Sequence, residues 1–353
     1  MPDPVVDEVP LRHNTRNQVT GSIDKVTTAD GRTLVRKRLR RPVDTASPSR
    51  WSASDDRASY QWWRREAEVY ADPALRSELE TAGLSLPQAT VEESPDGATL
   101  WLEWVEGRTT SELGLDDYRA LTTGLGHWQA AGPRQRSWAS SGYLRAYESA
   151  HLRDADSAGA LALLDDDEAW RQPLVADLWP SGLRSRWTAL VADRDRLHHI
   201  MTALPRTLCH LDVWASNVIA ADRITLLDWA FAGDGAIGED VGNAIPDACF
   251  DLFYPASGVR ELDTAMTTSY VEALGAAGWR GDPAAVRLGI TASCVKYTWL
   301  LPWLLQRAGS ADHQAYFRPV DAEARYRATG QVFDLLTDWH HEALTLATQL
   351  NLA

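Results

Sequence analysis

The chain has 353 residues, 44% of them hydrophobic and 24% charged, with a formal net charge of −14. That length allows one large domain or two modest ones, with a sizeable core. The acidic balance argues against wholesale binding of nucleic acid or of an anionic membrane, since both favour basic faces. Cys209, Cys249 and Cys294 are odd in number and show no CxxC spacing, so neither a disulfide framework nor a zinc site is expected. The N-terminus lacks a basic stretch followed by an apolar one, and no run reaches the roughly 18 apolar residues of a spanning helix. A cytoplasmic, unprocessed protein is the expectation. Lysine is scarce: Lys25, Lys37 and Lys296 are the only ones among 35 basic residues. Arginine supplies the rest, so each surviving lysine needs a reason.

In chain order, NQVTGSIDKVTT (17–28) and TLVRKRLR (33–40) predict two strands joined at Asp30-Gly31, a strong hairpin-turn signal. A period of two puts Thr33, Val35, Lys37 and Leu39 on one face and Leu34, Arg36, Arg38 and Arg40 on the other. Lys37 thus points toward an interior, while its arginine neighbours point mainly to solvent. A polar, Pro-containing loop is expected from Arg41 to Arg57. The pattern SYQWWRREAEVYADPALRSELETAG (59–83) is helical and carries Glu66 and Glu68, which face different ways on a helix. Leu86–Val91 and Thr99–Val105 predict two more strands around a Ser94–Gly97 turn, the second running into Glu106-Gly107. From Arg108 onward helices dominate. Asp116–Ala131 opens with an acidic turn and stops at Gly132-Pro133, and Leu183–Leu204 carries Trp187, Leu190, Val191, Leu197 and Met201 at helical spacing. The aromatic runs DACFDLFYP (247–255) and KYTWLLPWLL (296–305) are core, or the wall of a cleft. His198, His199 and Trp339-His340-His341-Glu342 lack the carboxylate and histidine spacing of a metal site.

The most informative stretch runs from Leu208 to Asp240. His210, Asp212 and Asn217 are spaced H-x-D-x-x-x-x-N, and a short apolar run, Ile224–Leu227, then delivers Asp228 and Trp229. Ile219–Ala220 and Ile224–Leu227, separated by Ala221-Asp222-Arg223, predict a hairpin of two short strands. Such a hairpin brings Asn217 beside Asp228. An amide oxygen and a carboxylate so placed suit Mg²⁺, a hard ion that shares its shell with phosphate and water. Asp212 then faces an attacking hydroxyl.

This pattern resembles the catalytic and metal-binding loops of eukaryotic-type kinases, most nearly the aminoglycoside phosphotransferase and choline kinase branch, with Asp240 as a nearby second acid. The resemblance implies an α+β, bilobal protein kinase-like fold: a small β-rich nucleotide-binding lobe with its connector (1–106) and a larger helical lobe (107–353). It implies Asp212 as catalytic base, His210 as the residue that fixes the loop, and Asn217 and Asp228 as Mg²⁺ ligands. Leu34-Val35-Arg36-Lys37 aligns with the strand whose lysine binds phosphate, a point-charge role suited to a compact ammonium. Glu66 is preferred over Glu68 as the acid that positions Lys37. The connector backbone at Glu103 and Val105 meets the nucleotide base, and Gly21 and Ser22 stand at the turn over the phosphates. Leu211 replaces the arginine with which protein kinases read a phosphorylated loop, and no A-P-E sequence follows Asp228. The resemblance therefore implies a constitutive small-molecule kinase. It would use ATP or GTP and act as monomer or homodimer, without nucleic acid or membrane partners. The expected acceptor is a hydroxyl of an aminoglycoside, a nucleoside antibiotic or a similar natural product. Choline, a sugar or homoserine as metabolic acceptors, and a nucleotide-binding pseudokinase, stay open.

Overall fold

The computed structural model describes residues 2–43, 49–154, 157, 159–316 and 318–352, so residues 44–48 of the expected Arg41–Arg57 loop lie outside it. In chain order the strands are β1 (Val5–Pro10), β2 (Thr20–Thr28), β3 (Thr33–Arg40), β4 (Leu84–Ser85), β5 (Ala89–Ser94), β6 (Gly97–Glu103), β7 (Arg108–Thr109), β8 (Arg206–Cys209), β9 (Val218–Ala220), β10 (Ile224–Leu226), β11 (Gly233–Ala236), β12 (Gln314–Ala315) and β13 (Arg318–Pro319). The helices are α1 (Arg65–Tyr70), α2 (Pro73–Thr81), α3 (Leu115–Gln129), α4 (Tyr143–Arg153), α5 (Asp167–Trp170), α6 (Pro173–Ala176), α7 (Leu183–Ala192), α8 (Arg194–Ala203), α9 (Glu239–Phe250), α10 (Val259–Ala276), α11 (Pro283–Ala292), α12 (Leu300–Leu305) and α13 (Ala322–Gln349). An antiparallel sheet near the N-terminus followed by a mainly helical remainder is the α+β division that the sequence pattern predicts.

The first sheet has the order β1-β2-β3-β6-β5. Its central hairpin turns at Gly31, whose φ of 83° is readily adopted by a residue without a Cβ. Lys37 pairs across the sheet with Ile23 and Leu100, which places it in the middle of the central strand. Arg36 departs from the period-two expectation and is buried. The reason is β1, an edge strand that sequence patterning did not reveal: its Glu8 bonds to the Arg36 guanidinium, and Asp24 of β2 does so at 3.1 Å.

Two expected helices are broken. Residues 59–83 give two short helices because Pro73 has no N–H to continue the first one. Asp72 caps the second, accepting from Ala74 and Leu75 at 2.9 and 3.1 Å. Leu183–Leu204 is likewise divided at Asp193, whose carboxylate meets His340 of α13 at 2.9 Å. In the helical part, α3 lies directly on α10. A Cβ at Gly126 would stand 2.7 Å from the Tyr270 carbonyl, so this contact is backbone against backbone. Arg287 of α11 holds α10 and α13 together through Asp263, at 2.6 and 3.0 Å, and Glu342, at 2.8 Å.

Arg65, at the start of α1, couples the sheet to the helical part. Its guanidinium is fully buried and donates to five carbonyls: Arg57, Ser59, Tyr60, Trp138 and Ala230, at 2.7–3.0 Å. A planar fork of five donors satisfied by backbone oxygens is a role lysine cannot fill. Burial draws its pKa down to about 10, but it stays charged at neutral pH. Replacing it leaves several buried carbonyls without a donor. Arg65→Met is expected to lower the unfolding free energy by about 3 kcal/mol or more in urea titration. A loss below about 1 kcal/mol means that water reaches those carbonyls and the clamp is not what joins the two parts.

Candidate active site

Strand β8 delivers His210, and the β9–β10 hairpin delivers Asn217 and Asp228 at its two ends. Val218 pairs with Leu226, and the Leu227 amide donates to the Asn217 carbonyl at 2.9 Å. The turn places Asn217 and Asp228 on the same side of the hairpin. The Asn217 amide nitrogen is engaged twice by Asp212, at 3.0 Å to its carbonyl and 2.9 Å to its carboxylate. That leaves the amide oxygen as the atom able to serve a cation.

His210 is fully buried. Its Nε2 donates to the Leu227 carbonyl at 2.9 Å, and its Nδ1 accepts from the Asp212 amide at 3.2 Å, which assigns the neutral Nε2–H tautomer. Burial pushes its pKa down to about 4. An imidazole in that state is a strut between the 210–217 loop and the β9–β10 hairpin. The ring also packs on Trp229, 4.4 Å between centroids.

The loop is held in an unfavourable backbone conformation. Leu211 and Asp228 have φ of 67° and 56°, a left-handed region that costs a residue with a side chain about 1–3 kcal/mol. Asp240, in the first turn of α9, supplies the compensation. Its carboxylate accepts the amides of Leu211 and His210 at 2.7 and 2.9 Å, and the Gln129 side-chain amide at 2.7 Å. Burial raises its pKa, and these three donors oppose the rise. Gln129 is in turn oriented by the Tyr270 hydroxyl, which donates to its Oε1. Neither Gln129 nor Tyr270 carried a sequence signal for this task.

Facing the loop is Lys37, buried on β3. Its ammonium lies 2.7 Å from Glu66 and 3.0 Å from Asp228. Glu68 turns outward instead, to Arg64 at 3.0 Å. Burial alone would lower the Lys37 pKa, but the carboxylates of Asp228 and Glu66 outweigh it and hold it above its ordinary value. Burial pushes Glu66 up against the pull of Lys37. Asp212, half-buried, is raised to about 7 by desolvation in the cleft, with Asp228 adding to the rise and Lys296 opposing it.

One cavity of about 1050 Å³ contains Lys37, Glu66, Asp212, Asn217 and Asp228 together. At one end Glu103–Gly107 line it, Glu103 and Val105 among them; Lys25 stacks over Trp104 there at 3.9 Å. Gly21 and Ser22 do not stand at a turn. Both lie inside β2, at an irregularity in its pairing with β3, and the Ser22 hydroxyl bonds to Asp24 at 3.0 Å. The segment that lines this end of the cavity is the earlier one, Leu11–Asn17, between β1 and β2. Its lack of glycine hid it from sequence reasoning. At the other end lies Lys296, paired with Asp247 at 3.1 Å. Its signal in the sequence was the scarcity of lysine: all three lysines prove to lie at or beside this cavity.

Among the described residues, no group of three or more His, Cys, Asp or Glu side chains forms a metal cluster, and no helix is long and apolar enough to cross a membrane. None of the curated protein sequences matches the chain. Solved structures do match in fold. An amicoumacin kinase, hAmiN, in complex with AMP-PNP, Ca²⁺ and Ami, has a TM-score of 0.55 and 14% identity over 96% of this chain and 93% of its own. An aminoglycoside phosphotransferase from Alicyclobacillus acidocaldarius has a TM-score of 0.53 and 17% identity over 97% of each chain. Both support the bilobal kinase-like fold. Residues 25–288 match the phosphotransferase enzyme family. With His210, Asp212, Asn217 and Asp228 gathered opposite Lys37, the chain belongs to that family and is a phosphotransferase that uses an alcohol group as acceptor.

Proposed function

We propose that the protein transfers the γ-phosphoryl group of ATP or GTP to a hydroxyl of a small natural product, as an antibiotic-modifying kinase in the cytoplasm. The observation that carries this reading is the single cavity in which Lys37, held by Glu66 and Asp228, faces Asp212 and Asn217. Residues 1–106 would form the nucleotide-binding lobe with its connector, and 107–353 the lobe with the catalytic loop and acceptor site.

The donor set fits Mg²⁺. One carboxylate, one amide oxygen and an open cleft suit an octahedral ion that keeps water and phosphate in its shell. The local charge fits as well, since Lys37 is one cation against Glu66, Asp228 and Asp212. When bound, Mg²⁺ would neutralise charge on the phosphates. It would be held by Asn217 Oδ1 and Asp228. That the amicoumacin kinase structure contains AMP-PNP and Ca²⁺ accords with a nucleotide and a divalent cation here.

Lys37 would bind phosphate as a point charge, with Glu66 fixing its position. Asp212 would orient the acceptor hydroxyl and accept its proton. A pKa near 7 keeps that carboxylate a competent base at neutral pH. Its bond from Asn217 fixes which oxygen faces the acceptor. Phosphoryl transfer depends chiefly on such positioning and on charge stabilisation.

Screening a panel of hydroxylated natural products with MgATP and MgGTP for nucleotide-dependent phosphorylation tests the reading. On any acceptor so found, Asp212→Asn is expected to lower kcat by roughly 10²- to 10⁴-fold with little change in nucleotide KM. Turnover within a few-fold of the wild type would remove Asp212 from the base's role. Asp228→Asn is expected to abolish Mg²⁺-dependent thermal stabilisation by nucleotide. If that stabilisation persists, the metal is held elsewhere.

A further inference from the structure

The acceptor end of the cavity has a composition that restricts what it can hold. Beyond Asp212 its wall is largely aromatic: Tyr147, Trp299 and Trp303 on residues of α4 and around α12, and Trp214, Phe250 and Tyr316 from the loops and α9. These rings are fixed by one another. Tyr147, His151 and Trp299 lie in tilted contact at centroid distances of 4.0 and 4.4 Å, and Trp214 meets Tyr316 edge-on at 4.8 Å. The indole N–H groups of Trp299 and Trp303 are buried and have no hydrogen-bond partner among the described residues. Both donors are closed off from the cavity, so what these walls offer a ligand is ring surface and not the N–H groups.

The charges at this end are matched. Three acids, Asp212, Asp247 and Asp251, lie with three bases, Arg50, Lys296 and Arg325. Asp247 is 3.1 Å from Lys296. Asp251 accepts the Tyr316 amide at 2.9 Å, and Arg318 donates to its carbonyl at 3.2 Å. Arg50 was expected in an exposed loop, but it is buried, 3.9 Å from Asp154 and 5.5 Å from the Trp299 ring. A polycationic amino sugar needs a surplus of carboxylates, because each ammonium that loses water without a partner pays several kcal/mol. This end offers none among the described residues. It offers instead flat apolar surface, which binds rings by burial and stacking.

Building on Asp212 as the group that faces the acceptor, we infer that the acceptor is a ring-bearing, planar alcohol with little net charge, clasped between the aromatic walls, and not a polycation. Hydroxyls at one edge would reach Asp212, and the ring system would lie against the Trp299 and Trp303 side chains.

Calorimetric titration of the full chain with MgADP bound, using 4-methylumbelliferyl galactoside as the uncharged planar probe and kanamycin as the polycation, tests this. The aryl glycoside is expected to bind at least roughly tenfold more tightly, and Trp303→Leu and Trp299→Leu each to weaken it by roughly tenfold. MgADP affinity of the same variants reports whether they are folded. Kanamycin binding as tightly or more tightly would overturn the inference. So would an absence of saturable binding by the aryl glycoside up to millimolar concentration, or unchanged affinity in both folded Trp variants. Failure of the protein to bind MgADP at all would instead count against the phosphotransfer reading on which the inference rests.

Discussion

The Asp240 carboxylate is the constraint on which the site depends. Three donors converge on it, two from the backbone of His210 and Leu211 and one from Gln129. It stands in the first turn of α9, where the N-terminal end of a helix favours negative charge. Without that acceptor, two buried amides would be unpaired and Leu211 would have no reason to keep a φ of 67°. Asp212 is the next residue, so its direction follows from this strain. The strain is stored locally and offset by the packing of α3, α9 and α10, which supply Gln129, Asp240 and Tyr270.

A second set of contacts sets the distance across the cleft. Lys37 reaches Asp228 from the sheet, and Arg65, one residue before Glu66, reaches the carbonyl of Ala230, two residues after Asp228. The helix that holds the lysine's partner is thus bonded to the segment that carries the proposed metal ligand. In a protein kinase the corresponding geometry is set by a phosphorylated loop read by an arginine. Here that arginine's place is taken by Leu211, whose side chain is fully buried. In this structure buried charge and backbone hydrogen bonds hold the corresponding residues in place.

How much of this was legible in the sequence depended on whether the signal was local. The β2–β3 and β9–β10 hairpins were, because turn chemistry and short apolar runs act over a few residues. Lys37's inward direction followed from a period of two, whereas the preference for Glu66 came from the family resemblance, the helix geometry showing only that Glu66 and Glu68 face different ways. Arg36 defied the same period because its partner Glu8 comes from an edge strand of exposed, weakly patterned residues. Pro73 and Asp193 broke helices whose apolar spacing continued through them, and both are residues whose chemistry favours a break or a cap. Gln129, Tyr270 and Asp247 act only through contacts distant in sequence, so no local pattern marks them. Lys296 is intermediate: its scarcity marked it, but nothing in its neighbourhood revealed Asp247 as its partner. The segment Leu11–Asn17 escaped because a glycine-rich signature was expected where a polar, glycine-free one lines the cavity.

The matched charges and aromatic walls of the proposed acceptor end and the net negative cluster at the proposed metal end divide one cavity into two chemistries. The boundary between them is Asp212. Crystallography of the protein with Mn²⁺ and a non-hydrolysable ATP analogue, with anomalous scattering to locate the ion, tests this division most directly. Mn²⁺ should lie about 2.0–2.3 Å from Asn217 Oδ1 and an Asp228 oxygen. The analogue's phosphates should lie against Lys37, and Asp212 should remain outside the metal shell. An ion bound by Asp212, or phosphates lodged at the aromatic end beyond it, would contradict the assignment.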